Sequence, residues 1–326
     1  MSLRNAKVLV TGATGFIGSH LTRRLVSEGA DVVILAEPGV DLYALEDAKD
    51  KVEQITADLR NYNSVEQLVK TVSPDRIFHL AAFTNPGRDT ANSRLANEVN
   101  VGGTVNLLQA SLAAAPGLKV FINTGTCEEY GNNPAPFRED MLPWPVSPYS
   151  ASKSAAWVFC ELFRRSYSLP IVSLRPFLTY GPYQKTNRFL TSLIVSCILG
   201  KDFKMSEGKQ KREVNYIDDI IEGFILASQT KKAIGQTINI GNGIPHTVRE
   251  LAEKVRAVSG SRINLGLAAY PYRENEIWNL FCDNTKARKI LGWKPETSLE
   301  DGLARTVSWY KGLHKSDPSL FKKLIV

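Results

Sequence analysis

The sequence predicts a doubly wound α/β fold, in which helices cover both faces of a parallel sheet, and the length allows either this domain alone or this domain with a smaller C-terminal lobe. Short apolar segments alternate with helical patterns along the first half of the chain, and after about Gly181 helices mix with short strands. In the lobe we place the strand Thr237–Ile240 and a turn and amphipathic helix within Gly241–Val255. The predicted strands are Lys7–Thr11, Asp31–Leu35, Lys51–Thr56, Arg76–Leu80, Lys119–Asn123 and Ile171–Arg175, and the helices between them include Ser64–Thr71, Asn97–Ala115 and Pro148–Ser166. Because such units are joined by right-handed crossovers, ligands are expected beyond the carboxyl ends of the strands.

The segment Lys7–Leu21, KVLVTGATGFIGSHL, joins the first strand to the first helix through a glycine-rich turn. Gly12, Gly15 and Gly18 are spaced three apart, which permits a tight turn, close approach of a pyrophosphate and close packing of helix on strand. The helix then presents free N–H groups and the positive end of its dipole. An acid, Glu37, follows the second strand, where a ribose hydroxyl would be held. Together these features predict a dinucleotide-binding site.

Composition limits the classes of function. The chain has 326 residues, of which 43% are hydrophobic and 22% charged, as is typical of a soluble globular protein. The net charge of +7 fits either nucleic acid or a polyanionic cofactor and substrate, and the scattered basic residues favour the second. No apolar run reaches the ~18 residues of a membrane helix, and the early first strand leaves no room for a signal peptide. Four dispersed cysteines and four dispersed histidines predict neither disulfides nor a metal site, so a cytoplasmic location is expected.

Several polar residues lie at or beyond predicted strand ends. Asp58 follows the third strand, where an acid either accepts a hydrogen bond from an adenine amine or caps the next helix. The small side chains in His79–Ala82 would let the backbone approach a cofactor, while His79 itself is expected to be a hydrogen-bonded core histidine. Asn100 is a candidate to hold a carbonyl or a water near the site, and Gly102–Gly103 weakens its helix unless something packs closely there.

The segment after the fifth strand contains the candidate catalytic residues. Thr124 and Thr126 place hydroxyls at the strand end, and Ser147–Pro148 is typical of a helix start. That helix carries Tyr149 and Lys153 four residues apart, hence on one face. A nearby ammonium would lower the pKa of the phenol toward neutrality, which would make Tyr149 a general acid/base. Alone the pair could equally be an exposed helix face, but after the glycine turn and the threonines it indicates catalysis.

These motifs together resemble the extended short-chain dehydrogenase/reductase family, in its NAD-dependent nucleotide-sugar epimerase/dehydratase group. The matching segments are TGATGFIG (Thr11–Gly18), ADL (Ala57–Leu59), HLAA (His79–Ala82), NVGGT (Asn100–Thr104), TGTCEEYG (Thr124–Gly131), YSASK (Tyr149–Lys153), LRPFLTYGP (Leu174–Pro182), REVNYIDDI (Arg212–Ile220) and LGWKP (Leu291–Pro295). The resemblance implies a Rossmann domain over residues 1–180 and a mainly substrate-binding lobe over 181–326, with the chain crossing back into the Rossmann part.

The resemblance also implies residue roles. Tyr149 would be the acid/base, Lys153 its pKa tuner and nicotinamide-ribose anchor, and Thr126 the partner of a substrate hydroxyl. Arg212 and Arg273 would grip the nucleotide diphosphate, unless they form surface salt bridges. Further contacts with NAD are implied at Gly12, Thr14, Gly15, Phe16, Ile17, Gly18, Glu37, Asp58, Leu59, Leu80, Ala81, Ala82, Thr124 and Pro176.

Three departures from the family pattern bear on cofactor, substrate and reaction. The acid expected at the end of the second strand is one place late, at Glu37, and no arginine accompanies it, which favours NAD over NADP. A substrate-holding asparagine is replaced by Leu178, with the candidate substrate contact Thr179 next to it. Where sugar dehydratases carry an Asp-Glu pair for elimination, this chain has Cys127 and Glu128, and a cysteine is a poor substitute for the acid.

We therefore expect an NAD-dependent 4-epimerase of nucleotide-diphosphate sugars that acts through a transient 4-keto sugar. A 4,6-dehydratase with Glu128 as base, or a reductase of a 4-keto-6-deoxyhexose that uses exchangeable NAD(P)H, are the alternatives. A non-catalytic NAD-binding regulatory protein is a further alternative, and the complete Tyr/Lys/Thr set argues against it. The resemblance further implies a homodimer built from the helices Asn97–Ala115 and Pro148–Ser166, with Trp157, Val158 and Phe159 facing outward.

Overall fold

The computed structural model describes residues 1–37, 39–85 and 87–326. The strands are β1 Lys7–Thr11, β2 Asp31–Ala36, β3 Glu53–Thr56, β4 Arg76–His79, β5 Val120–Thr124, β6 Ile171–Pro176, β7 Thr179–Tyr180, β8 Phe203–Lys204, β9 Lys211–Arg212, β10 Asn215–Tyr216, β11 Thr237–Ile240, β12 His246–Thr247, β13 Leu265–Gly266 and β14 Asn279–Leu280. The α-helices are α1 Phe16–Ser27, α2 Tyr62–Val72, α3 Ser93–Ala96, α4 Gly103–Ala114, α5 Pro148–Tyr167, α6 Phe189–Leu199, α7 Ile217–Gln229, α8 Val248–Ser259, α9 Thr285–Leu291, α10 Leu299–Ser316 and α11 Pro318–Leu324.

Seven parallel strands form the central sheet in the order β3-β2-β1-β4-β5-β6-β11. The order reverses direction between β1 and β4, where Thr11 pairs with Leu35 on one side and with His79 on the other. Connections leave such a switch point in opposite directions, so a crevice opens beyond the carboxyl ends of these two strands. The predicted doubly wound α/β fold is confirmed.

The central strands are buried on both faces, which explains their continuous apolar character. Val8 and Val10 pack with Leu21 of α1 on one face of the sheet, while Leu9 packs with residues of α2 and α4, including Leu107, on the other. Side chains alternate between the faces of a strand, so one short run of valine and leucine contributes to two separate cores.

From its position in the chain, the strand Thr237–Ile240 was expected to belong to the C-terminal lobe. That prediction is wrong. As β11 this strand pairs in parallel with β6 and extends the central sheet, so the chain does cross back after residue 181. At the C-terminus, α11 is docked rather than frayed, because Phe321 and Leu324 are buried in the core. No helix in the described residues is long and apolar enough to cross a bilayer.

The predicted helix Asn97–Ala115 is wrong as a single α-helix. It begins earlier with α3, continues as a π-helix over Asn97–Gly102, and becomes α4 from Gly103. A Cβ on Gly103 would lie 3.1 Å from Cβ of Leu59, which is the close packing that the glycine pair required. By contrast, Pro148–Ser166 is confirmed as α5, one residue longer and capped by Ser147.

Candidate active site

The glycine turn after β1 has the shape that a pyrophosphate site requires. Gly12 has a φ of 71°, and a Cβ there would lie 2.5 Å from the backbone nitrogen of Ala81. A Cβ on Gly18 would lie 2.0 Å from the carbonyl oxygen of Gly12, so larger residues are excluded at both positions. Helix α1 then starts at Phe16 without a side-chain cap, because its N-cap is Gly15, and its first-turn N–H groups stay available for an anion.

An ion pair occupies the position predicted to meet the adenine end of a cofactor. Arg60 binds both carboxylate oxygens of Asp58, with Nε 3.0 Å from Oδ1 and Nη2 2.7 Å from Oδ2, and this hydrogen bonding lowers the pKa of Asp58. Glu37 is exposed beyond β2 and is close enough to Arg60 to raise the pKa of the guanidinium. Arg60 was not predicted from the sequence, because Glu37, which lies near it in the fold, follows a different strand.

His79 is a core histidine, as predicted. Its Nδ1 lies 2.8 Å from Oγ1 of Thr11 and its Nε2 lies 2.9 Å from Oγ1 of Thr104. Burial, reinforced by the charge of Lys153, lowers its pKa to about 3, so the ring is neutral at physiological pH. Oγ1 of Thr11 also accepts a hydrogen bond from the backbone N–H of Ala81, which fixes the segment after β4 against β1.

Asn100 supports the protein itself rather than a ligand carbonyl or water. Its Oδ1 accepts the N–H of Phe83 at 2.7 Å, and its Nδ2 donates to the carbonyl of Phe83 at 3.0 Å and to Oγ of Ser152 at 2.8 Å. Asn100 therefore holds a carbonyl near the site, as predicted, and this carbonyl belongs to Phe83 of the chain itself. The π-helix turns this side chain toward the loop after β4 and toward α5, one residue from Lys153.

Thr126, Tyr149 and Lys153 meet at the carboxyl end of β5. Thr126 is the N-cap of the 3₁₀ turn Cys127–Tyr130, and its hydroxyl lies beside the phenol of Tyr149. Lys153 is 3% exposed, and its ammonium makes no hydrogen bond within residues 1–37, 39–85 and 87–326. Oγ1 of Thr124 is likewise buried without a partner in the described chain. The hydroxyl of Thr124 is thus left unsatisfied where a ligand is predicted.

The predicted tuning of Tyr149 by Lys153 is wrong for this arrangement. Burial raises the pKa of Tyr149, and the neighbouring charge of Glu128 raises it further, against a smaller lowering by the nearby hydroxyl of Thr126. Burial also lowers the pKa of Lys153, which the carboxylate of Glu129 opposes. The spacing does place phenol and ammonium on one helix face, but both groups are desolvated there, and desolvation favours the neutral forms of both.

Glu128 faces four arginines, Arg88, Arg188, Arg212 and Arg273, which we call the arginine cluster. Burial raises the pKa of Glu128, and the charges of these four guanidinium groups lower it. The structure thus brings the two predicted arginines together beside the catalytic residues, although Arg212 also pairs with Glu276. Arg88 and Arg188 were missed in the sequence because neither lies in one of the matching motifs.

The two residues that follow and precede Glu128 in sequence, Glu129 and Cys127, are both buried. Cys127 is buried in an apolar cluster with Tyr130 and Phe137, and burial raises the pKa of its thiol well above the ordinary value. Glu129 is fully buried and forms an ion pair with Arg175, at 2.8 Å. Neither side chain is placed to protonate a leaving group.

The remaining predicted contacts lie at the same edge of the sheet. Pro176 ends β6, and Leu80, Ala81 and Ala82 follow β4, while Leu59 is buried after β3. Thr14 and Ile17 lie in the glycine turn and the first turn of α1. The hydroxyl of Thr179 already donates to the carbonyl of Phe177 at 2.8 Å, so toward a substrate it can only accept.

Comparison with known proteins identifies the family. Residues 9–306 match the family model described as GDP-mannose 4,6 dehydratase. This chain belongs to the NAD-dependent nucleotide-sugar epimerase/dehydratase family. It is similar to the UDP-glucose 4-epimerase of Mycolicibacterium smegmatis, with 32% identity over 94% of this chain and 98% of the relative.

Two solved structures of family members have the same fold. The UDP-glucose 4-epimerase of Thermotoga maritima, solved with UDP-glucose, has a TM-score of 0.88 and 27% identity over 94% of this chain and 99% of its own. The dTDP-glucose 4,6-dehydratase DesIV of Streptomyces venezuelae, solved with NAD, has a TM-score of 0.85 and 28% identity over 95% and 99%. Family membership makes this chain an enzyme of the nucleotide-sugar epimerase/dehydratase type, whereas its particular reaction differs among such relatives.

The residues present fit the NAD on which the family depends. A Cβ at Gly12 or Gly18 would collide with backbone atoms, so the turn requires glycine at both positions. The uncapped start of α1 is suited to phosphate oxygens. The unpartnered hydroxyl of Thr124 and the ammonium of Lys153 lie beyond the same strand ends, where a nicotinamide ribose would need donors.

Proposed function

We propose that this chain is an NAD-dependent 4-epimerase of a nucleotide-diphosphate sugar. One observation supports the choice over a 4,6-dehydratase: in the described chain, neither sequence neighbour of Glu128 offers a free carboxylic acid for elimination. Cys127 is packed among aromatic rings, and Glu129 is bound to Arg175. A hydroxide ion leaves slowly without a general acid, whose help is worth ~10²–10⁴-fold. Epimerisation at C4 needs no such acid.

In this proposal the residues at the carboxyl end of β5 handle one proton. Tyr149 accepts the proton of the C4 hydroxyl and later returns it to the keto oxygen, and Thr126 holds the same oxygen by a hydrogen bond. The chemistry that NAD would supply at this site is reversible hydride transfer at C4, with return of the hydride to the opposite face of the sugar ring. Lys153 anchors the cofactor ribose, and the glycine turn holds the pyrophosphate. Burial raises the pKa of Tyr149, so only a small fraction of its phenol is in the base form near neutral pH. The reaction should therefore become faster as the pH rises and this fraction grows.

The arginine cluster is proposed to hold the substrate diphosphate. Arg212 and Arg273 supply planar donor groups, and Arg88 and Arg188 add positive charge beside Glu128. With Glu128 and Glu276 ionised, these six groups carry a net charge of about +2, which matches a diphosphate. Residues 1–180 would then bind mainly the cofactor and residues 181–326 mainly the substrate.

The proposed enzyme is a homodimer through α4 and α5. Leu112 is 43% exposed on α4, and Val158 and Leu162 are 56% and 47% exposed on α5. An apolar groove lined by Gln109, Leu112, Ala113, Phe163 and Tyr167 runs between these helices. Exposed apolar side chains grouped on neighbouring helices are typical of a subunit interface, and a two-fold dimer is the commonest assembly. Trp157 takes no part, because it faces inward against Arg175, contrary to the sequence prediction.

The test is incubation of the NAD-loaded protein with a panel of UDP-, GDP-, CDP- and dTDP-hexoses, followed by mass and NMR analysis of the products. A 4-epimer of unchanged mass supports the proposal. A product lighter by one water would establish a dehydratase instead. Consumption of added NADH or NADPH with a 4-keto-6-deoxy sugar would establish the reductase alternative. The Tyr149→Phe protein is the control for each sugar, since it lacks the proposed acid/base.

A further inference from the structure

A buried ion pair lies directly behind the candidate catalytic residues. Glu129 has 0% and Arg175 1% of its surface exposed. Oε2 of Glu129 accepts a hydrogen bond from Nε of Arg175 at 2.8 Å and forms an ion pair with Nη2 at the same distance, and Nη1 of Arg175 donates to the phenol of Tyr130 at 2.9 Å. A buried pair of this kind is weak evidence for stability, because desolvation of both charges offsets their attraction. Its contacts indicate another role.

The pair fixes the loop that carries Thr126. The second carboxylate oxygen of Glu129, Oε1, accepts the backbone N–H of Thr126 at 2.8 Å, while Oγ1 of Thr126 accepts the N–H of Glu128 at 3.3 Å. A Cβ on Gly125 would lie 2.5 Å from Oε1, so the glycine leaves room for the carboxylate. The orientation of Thr126 toward Tyr149 therefore depends on where Glu129 lies.

The pair also contacts the helix that carries Tyr149 and Lys153. The guanidinium carbon of Arg175 lies 5.1 Å from the ring centre of Trp157, one turn after Lys153 on α5. Nε1 of Trp157 donates to Oγ1 of Thr237 on β11 at 2.9 Å, which fixes the ring. In addition, burial lowers the pKa of Lys153, and the carboxylate of Glu129 opposes this effect.

We infer that Glu129, held by Arg175, is a positioning residue that fixes the backbone of Thr126 beside Tyr149 and places a negative charge near the buried side chain of Lys153. The inference rests on the proposed function insofar as Tyr149 and Lys153 are taken to act in the reaction. It assigns a role to a side chain that touches neither substrate nor cofactor and acts only through its neighbours.

The test compares Glu129→Gln with Glu129→Asp and with a matched control, Glu139→Gln. The glutamine keeps an acceptor for the N–H of Thr126 but removes the charge, whereas the aspartate keeps the charge and withdraws the acceptor. Glu139 accepts the N–H of Asn239 at 2.9 Å and is half-buried, so its replacement makes the same chemical change away from Lys153. Folding of each protein is checked by circular dichroism and thermal unfolding.

In Glu129→Gln, we expect both limbs of the pH profile of kcat/KM to move to lower pH, because loss of a negative charge eases deprotonation of Lys153 and Tyr149. We expect kcat to fall on the order of tenfold or more, with KM within about threefold, because the arginine cluster is unchanged. In Glu129→Asp the limbs should stay in place while kcat falls. Unmoved limbs in Glu129→Gln, or an equal movement in Glu139→Gln, would overturn the inference.

A second measurement separates this inference from the choice of reaction. NAD titrations of wild type and Glu129→Gln across the alkaline range need no sugar. Since Lys153 is a predicted contact of the cofactor ribose, NAD affinity in Glu129→Gln should decline at a lower pH than in the wild type. If no sugar is epimerised but this shift is found, the proposed reaction fails and the role of Glu129 stands. If the declines coincide, the role of Glu129 fails whichever sugar reacts.

Discussion

Replacement of Glu128 by glutamine separates the epimerase from the dehydratase. The change is isosteric, and the backbone N–H of Glu128 keeps its hydrogen bond to Oγ1 of Thr126. In the described residues the carboxylate makes no hydrogen bond of its own, and it interacts with the arginine cluster through charge alone. The substitution therefore removes one negative charge without rearranging the loop.

The size of the effect depends on whether Glu128 takes part in the chemistry. In an epimerase it does not, so kcat should stay within about tenfold, a barrier change below ~1.4 kcal/mol. In a dehydratase Glu128 would be the base, and its loss would cost ~10²–10⁴-fold in kcat. KM should fall, since the arginine cluster then attracts the diphosphate with less opposition. The acidic limb of kcat/KM should move to lower pH, because Glu128 raises the pKa of Tyr149.

The assay follows epimer formation by NMR with the sugar that reacts in the panel, at several pH values, for wild type and Glu128→Gln. Tyr149→Phe is the reference for loss of an acid/base residue. A kcat lowered a hundredfold or more, together with a dehydrated product from the wild type, would refute the assignment of Glu128 as a bystander. A raised KM would refute the assignment of the arginine cluster to the diphosphate.

Three further outcomes are expected. Tyr149→Phe should keep the fold and NAD binding but lose about a hundredfold or more in kcat, together with the rise of kcat with pH, and near-normal turnover would remove Tyr149 from catalysis. NAD should bind at least about tenfold more tightly than NADP by fluorescence titration, because Glu37 is exposed where a 2′-phosphate would lie and Arg60 is held by Asp58. Equal affinities would show that Glu37 lies outside the cofactor site. Val158→Glu should shift the protein from dimer to monomer by light scattering at micromolar concentration, while Leu142→Glu, at an 82% exposed loop position, should not; a wild-type monomer would contradict the interface.

The sequence predicted the sheet and the grouping of Thr126, Tyr149 and Lys153, because these depend on local signals. Runs of buried apolar residues indicate parallel strands, and the cap at Ser147 fixes the start of α5 to the residue. The parallel arrangement then requires that the loops after β1, β4 and β5 meet at one edge. No knowledge of distant contacts is needed for any of these steps.

What the sequence did not predict depends on contacts between distant segments. Trp157 was predicted to face outward together with its neighbour Val158. Only Val158 is exposed, whereas the ring of Trp157 packs against the guanidinium of Arg175 from β6. The spacing of Tyr149 and Lys153 shows that they lie on one face of the helix, but it does not show that this face is buried. Burial decides the direction of both pKa shifts, upward for Tyr149 and downward for Lys153. The π-helix that carries Asn100 likewise has no signature in a single sequence.

The four cysteines have a practical consequence for studying motion in this enzyme. Cys127, Cys160, Cys197 and Cys282 are all unpaired and buried, and burial raises the pKa of each thiol. Because the thiolate is the reactive species, alkylating reagents should modify the native chain slowly. A single cysteine introduced on the surface of each lobe would then be the fast-reacting site. Fluorophore or spin-label pairs would then report any change in the distance between residues 1–180 and 181–326 when a sugar is added, without removal of a native thiol.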